Sequence, residues 1–265
     1  YWYDSSGTQD TAKVCSDNLF AIDKQTGSKK WEYSGGKIIN TTIAIGGGRV
    51  YFVESNSSSL RNEPTSRIDS SSLWSSLRLV ALNSQTGAKV WGKSITINKS
   101  PYPVVFFLAQ AKDRLILSYT TSRYYVDAFS TSNGSKVWSK NHSWNRNHHG
   151  GHMYHPVIVG DAVIVEPYGY RLSNGGTVHR GLPQRGGCST MSASHNTVHY
   201  INWDYDKGSM YFWDVDTGKR RLVVGSRSSC WLSLISGNGM ILSPTASSGC
   251  RCRYPIQTSI GFMRQ

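Results

Sequence analysis

Ala21-Ile-Asp-Lys-Gln-Thr-Gly-Ser-Lys-Lys-Trp31 is the stretch that decides the fold, because the chain repeats it. It returns as Ala81-Leu-Asn-Ser-Gln-Thr-Gly-Ala-Lys-Val-Trp91 and again as Ala128-Phe-Ser-Thr-Ser-Asn-Gly-Ser-Lys-Val-Trp138. Trp213-Asp-Val-Asp-Thr-Gly-Lys-Arg-Arg-Leu222 keeps the turn and loses the ends, and Tyr170-Arg-Leu-Ser-Asn-Gly175 is an eroded copy. The turn glycines Gly27, Gly87, Gly134, Gly175 and Gly218 are spaced by 60, 47, 41 and 43 residues. A period in the forties, with two short apolar runs before each copy, is what a four-stranded blade needs. The expectation is an all-β propeller of about six four-stranded antiparallel blades.

Each part of the phrase has a physical task. The apolar residue and Ala end one strand. Asp or Asn followed by Thr-Gly makes a tight turn, in which Gly takes a positive φ and the Asx side chain accepts from backbone amides. Lys-x-Trp starts the partner strand. Trp31, Trp91 and Trp138 are then placed to lie across the neighbouring repeat, each burying roughly 150–250 Å².

The phrase resembles the tryptophan-docking motif of the pyrroloquinoline-quinone (PQQ)-type β-propellers. That family holds quinoprotein alcohol dehydrogenases and non-enzymatic envelope lipoproteins. The resemblance runs along nearly the whole chain and implies the fold; it does not imply an activity, since fold and function separate in such families.

A repeat array counts as one domain, so residues 1–265 read as a single propeller. The chain begins at Tyr1 with no initiator Met or signal peptide, which suggests a mature or trimmed end. No apolar run approaches the roughly 18 residues of a membrane span. The net charge of +13 favours acidic partners: other proteins, acidic polysaccharide or cell-surface components. Lys and Arg are dispersed, apart from Lys219-Arg-Arg221, and a basic surface also serves solubility. No nucleic-acid recognition motif is present. Five cysteines point to an oxidising compartment. Asn-x-Ser/Thr triplets at Asn40, Asn56, Asn98, Asn133 and Asn141 are glycosylation candidates and fit a secreted, extracellular or periplasmic protein.

Along the chain, Tyr1-Trp2-Tyr3 is a candidate strand for closing the last blade. Residues 54–76 interrupt the second repeat; ten of the 23 are Ser, and the segment reads as an exposed loop insertion that accounts for the long first spacing. No segment carries the apolar period of a helix.

Two clusters carry chemistry. His148-His149-Gly-Gly-His152-Met-Tyr-His155 offers imidazoles to a transition metal such as Cu, Zn or Ni. Its spacing matches no standard zinc pattern, and a polar loop with its histidines bonded to backbone and water is the plainer reading. Cys188, Cys230, Cys250 and Cys252 are disulfide candidates; three pairings are open, with Cys230 to Cys250 or Cys252 favoured by the short segment between. A thiolate metal site with the histidines is the rival. Cys15, within a strand, reads as a buried free thiol. The stretch from Tyr154-His-Pro-Val through Glu166-Pro-Tyr168, Gly187-Cys188, Cys230-Trp231 and Ser248-Gly-Cys-x-Cys-x-Tyr-Pro resembles the C-terminal part of planctomycete-type PQQ-like repeat proteins.

Three functions are thus in view. The first is a secreted, non-enzymatic binding or scaffold propeller, self-associating or holding an acidic partner, with Arg180, Arg185, Arg227, Arg251 and Arg253 near the cysteine end. The second is a metal-binding protein or metalloenzyme using the histidine cluster. The third is a quinoprotein dehydrogenase. Its chemistry needs Ca²⁺, an Asp base and a stacking Trp. Glu166, Asp204, Asp206 and Trp203 exist without a spacing that links them, and the vicinal Cys-Cys common in those enzymes is missing, so PQQ is not expected.

Overall fold

The computed structural model describes residues 11–144, 155–182, 190–202, 209–223, 234–244 and 259–263. The chain divides into two compact units, Gln9–Trp144 and Asn145–Gln265 with Tyr1–Thr8.

In the first unit, β1 (Lys13–Ile22) and β2 (Lys29–Ile39) form the hairpin around the first copy of the phrase. The second repeat contributes β3 (Ala44–Gly46) and β4 (Arg49–Ser55), then β5 (Arg67–Ile68), β6 (Leu77–Asn83) and β7 (Lys89–Ser94). These strands share one seven-stranded sheet in the order β5-β1-β2-β4-β6-β7, with β3 on β4. The third repeat is a complete antiparallel blade of β8 (Phe106–Ala111), β9 (Arg114–Thr120), β10 (Tyr124–Ser130) and β11 (Lys136–His142).

The second unit holds two more four-stranded blades. One is β12 (Val157–Val159), β13 (Ala162–Val165), β14 (Tyr168–Arg171) and β15 (Thr177–Arg180); the other is β16 (Ser192–Ala193), β17 (Thr197–Asn202), β18 (Ser209–Asp214) and β19 (Arg220–Val223). A three-stranded sheet of β20 (Ile235–Gly237), β21 (Met240–Ser243) and β22 (Ile260–Met263) ends the described chain. The described residues hold no α-helix, only 3₁₀ turns at Asn40–Thr42, Ser58–Leu60 and Ser71–Trp74. Sequential four-stranded antiparallel sheets of this kind are propeller blades.

The phrase folds as its chemistry dictates. Asp23 Oδ1 accepts from the amides of Gln25 and Thr26 at 3.0 and 3.1 Å, and Gly27 donates its amide to Asp23 O at 2.8 Å with φ at +72°. Asn83 and Asp214 accept from the equivalent amides in their own turns. The Lys30 ammonium, then these backbone amides, hold the Asp23 carboxyl down at about 2. The indole then crosses to the next repeat. Trp31 Nε1 donates to Ser84 O at 2.9 Å, and a Cβ on Gly87 would fall 2.7 Å from the Trp31 ring. Trp91 Nε1 donates to Thr131 O at 3.0 Å, and a Cβ on Gly134 would fall 2.7 Å from the Trp91 ring. Glycine is required at these turns twice over: for the left-handed φ and for the absent side chain.

The serine-rich segment departs from its reading as exposed decoration. Leu60, Ile68, Leu73 and Trp74 are buried in the core of the first unit. The Trp74 ring stands edge-on to Phe106 at 5.1 Å, and β5 pairs with the start of β1. Its four apolar residues sit among serines, so composition hides them; once docked, they anchor a segment that polar composition alone would leave loose.

Two glycine variants separate turn from docking. Gly27→Ala meets no atom within 4 Å and should cost only the left-handed strain, about 1–2 kcal/mol. Gly87→Ala should cost that plus roughly 1–3 kcal/mol for displacing the Trp31 ring. Denaturant unfolding of both variants checks the difference, and equal losses would mean that the indole contributes nothing at that turn.

Candidate functional site

The insertion builds a cleft. On β1 the ladder slips between Ser16 and Asn18, so Asp17 stands opposite three residues of β2, Gly35, Gly36 and Lys37. The two glycines let β2 approach β4, where Lys37 pairs with Ser55 and Ile38 with Glu54. A Cβ on Gly36 would run into Ser55 O and come within 2.5 Å of Asn56 Oδ1; one on Gly35 would run into Tyr33 Oη and Glu54 Oε2. Glycine inside a strand here marks a close backbone approach. Ser55 Oγ donates to Ser75 O at 2.9 Å and the Asn56 amide to Ser76 O at 3.1 Å, which latches both ends of the insertion together.

The result is a polar cavity of about 490 Å³ lined by Asp17, Ser34, Gly35, Gly36, Lys37, Ser55, Asn56, Ser57, Leu60 and Arg61. Leu60, 2% exposed, closes its floor against the core. The Lys37 side chain is only 7% exposed; its ammonium donates to Asp17 Oδ1 at 2.7 Å and to Glu63 O at 3.3 Å. Asp17 is 70% exposed, so the buried cation is held by a carboxylate that solvent or a ligand can replace. Arg61 is exposed at the mouth. Behind the wall, buried Glu54 accepts from Tyr33 Oη at 3.0 Å and from the Gly36 amide at 2.9 Å. Burial first, then the Glu54 charge, pushes the Tyr33 phenol well above its usual range, so it stays a neutral donor. Two cations against one carboxylate, with serine and asparagine groups between them, suit an anionic or polyhydroxylated group. No histidine or cysteine lines the cleft among the described residues.

A second cleft, of about 430 Å³, lies within the other unit beside Asp161, Arg171, His179, His195, Asn196 and Asp216. Asn196 Nδ2 donates to Asp216 Oδ2 at 3.2 Å, and His179 stands edge-on to Trp213. Burial lowers the His179 pKa, partly opposed by the Asp216 charge. Its mixed charges give it no net pull on an anion.

Of the residues singled out from sequence, His148, His149, His152, Cys188, Cys230, Cys250 and Cys252 lie outside the described residues, as do Trp203, Asp204, Asp206 and residues 1–10. His155 is half-buried, with Nδ1 3.3 Å from Pro156 O. Cys15 is a buried free thiol that desolvation pushes up to about 12. Asn56, Asn98, Asn133 and Asn141 are exposed, whereas Asn40 is half-buried with its Oδ1 enclosed. Glu166 is buried. Among the described residues no three His, Cys, Asp or Glu side chains converge as a metal site. Sequence reading missed Lys37, Arg61 and Asp17; the visible signal was Gly35-Gly36 inside a strand.

One buried histidine lines neither cleft. His199 on β17 is fully buried, with Nδ1 3.2 Å from Ser236 Oγ and 3.5 Å from Ser192 Oγ. Desolvation lowers its pKa from 6.5 to about 4. The folded imidazole therefore binds protons more weakly than the unfolded one. Its contribution is full above about pH 6.5 and is lost as pH falls towards 4, by up to about 3 kcal/mol. Thermal midpoints should fall between pH 7 and pH 4.5, and His199→Leu should remove that part of the slope. An unchanged slope in the variant would assign it elsewhere.

Comparison with known proteins places this geometry in a family. Residues 9–222 match the family described as outer membrane protein assembly factor BamB. No curated protein matches the chain. BamB from Moraxella catarrhalis aligns with 87% of this chain and 62% of its own, at a TM-score of 0.53 and 14% identity. The Pan2 WD40 domain of Neurospora crassa aligns with 83% of this chain and 62% of its own, at a TM-score of 0.50 and 8% identity. A europium-containing methanol dehydrogenase aligns with 82% of this chain and 50% of its own, at a TM-score of 0.45 and 12% identity. The chain thus spans less than two thirds of the length of each of these structures. At such identities the likeness concerns the β-propeller fold.

Proposed function

The chain belongs to the family of outer membrane protein assembly factor BamB, and from that premise we propose that it is a non-enzymatic binding propeller of the cell envelope or exterior, holding an acidic partner in the Lys37–Arg61 cleft. The observation that carries the reading is the buried Lys37 ammonium, held on one side by the exposed carboxylate of Asp17. An incoming carboxylate can take the place of Asp17 without leaving a buried charge unpaired. Arg61 at the mouth adds a planar two-pronged donor. The net charge of +13 supports the reading by drawing anionic partners towards the surface. The docked blades hold both cleft walls still, which lowers the ordering cost of binding.

The natural ligand class is an acidic segment of a protein or an acidic polysaccharide. Poly-L-glutamate and a polygalacturonate oligosaccharide are the probes. Binding of at least one should weaken with salt, and Arg61→Glu should weaken it by about tenfold or more. Arg221→Glu, an exposed charge on β19, is the control and should change binding little. Equal loss in both variants would reduce the effect to diffuse surface charge and overturn the cleft as the site.

A further inference from the structure

The docking position changes identity inside the second unit. Trp31 pairs with Ala21, Trp91 with Ala81 and Trp138 with Ala128, and the ladder slips immediately after each pair. His179 pairs with Gly169 ahead of the same slip, so an imidazole stands where the other repeats launch an indole. The turn of the following repeat keeps the seat. The Val215 amide donates to Asn196 O at 2.9 Å, as Ser84 does to Gly48 O and Thr131 to Asp113 O. Val215 O is therefore the counterpart of the two carbonyls that accept from Trp31 and Trp91. Gly218 has the same left-handed conformation, with φ at +68°. Only the ring is missing: a Cβ on Gly218 would meet nothing within 4 Å, whereas one on Gly87 or Gly134 would fall 2.7 Å from an indole. His179 and this turn belong to the same unit, so the opening follows from an imidazole in place of an indole. The shorter ring is half-buried and stands edge-on to Trp213 at 5.1 Å.

The cleft of about 430 Å³ lies at this seat, lined by His179, Val215 and Asp216. Its volume falls within the roughly 300–1,000 Å³ of small-molecule sites. Val159, Ala162 and Val178 add apolar wall. Two exposed carboxylates, Asp161 and Asp216, stand against one guanidinium, Arg171, the reverse of the chain's balance of +13. Burial keeps the His179 imidazole neutral at pH 7, so it does not repel a cation. We propose that this cleft binds a small planar aromatic amine. Its ring takes the place that an indole takes at the other turns, with a ring N–H donating to Val215 O. Its ammonium meets the Asp216 and Asp161 carboxylates in charge-assisted hydrogen bonds. A ring buried this way contributes roughly 150–250 Å² of contact. The site is independent of the Lys37–Arg61 cleft and selects the opposite charge.

Tryptamine, indole and indole-3-acetate share one ring and differ in charge, which makes them the probes. Calorimetric titration into the full chain should show saturable binding of tryptamine, weaker binding of indole, and indole-3-acetate weaker than tryptamine by about tenfold or more. Diffuse attraction to a chain of net charge +13 gives the opposite order. His179→Trp, which restores the docking ring, should weaken tryptamine binding by about tenfold or more and leave polyglutamate binding unchanged. Asp216→Asn, which keeps the shape and removes the charge, should narrow the preference for tryptamine over indole-3-acetate; this variant decides the matter if His179→Trp does not fold. Absence of saturable tryptamine binding, indole-3-acetate bound as tightly as tryptamine, or indifference to both substitutions would overturn the proposal. Loss of polyglutamate binding with tryptamine binding intact would sink only the acidic-cleft reading.

Discussion

One contact organises the described blades of the first unit: an indole laid flat on a glycine that has no side chain to resist it. The two halves of that contact come from different repeats. The turn must place glycine in the left-handed region, and the following strand must launch the ring away from its own turn. Trp31 on Gly87 and Trp91 on Gly134 meet both conditions, and each adds a hydrogen bond from the indole N–H to the backbone. Apolar packing by itself is indifferent to direction. The indole supplies the direction, because only one placement satisfies both the ring and its N–H.

The same rigidity gives the insertion its role. A serine-rich segment has little to hold it to a core, and composition argues for a loose loop. Four buried side chains, the β5 pairing and the Ser55 latch hold it against β1 and β4. Its polar backbone then becomes one wall of a cleft whose other wall is the glycine pair of β2. A buried ammonium needs partners; beside Glu63 O, the carboxylate that pairs with it is mostly in water. That asymmetry, rather than a pile of surface charge, is what the proposed anion site rests on.

The repeat phrase made the blades legible because turn chemistry and docking both leave marks on single residues: Asp or Asn, Gly, Trp. The buried thiol of Cys15 was legible for a similar reason, as a cysteine inside an apolar strand. The cleft was not. Lys37 is one lysine among many until the β1 slip and the β2–β4 pairing bring it beside Asp17, and both depend on contacts distant in sequence. Nor was the burial of Leu60, Leu73 and Trp74 readable, since no period runs through the serines around them. His199 looked like any strand histidine; its environment comes from Ser236, 37 residues away.

The first two repeats share a single hydrogen-bonded ladder, whereas the third repeat forms its own sheet. Gene duplication and recombination work most smoothly where a cut severs only a covalent connection. A cut between β7 and β8 does that. A cut between β2 and β3 also takes β2 away from β4, which keeps β3 and β6, and leaves Gly35 and Gly36 without the strand they approach. The first two described repeats are therefore tied into one hydrogen-bonded block, and the third meets that block through packing between sheets.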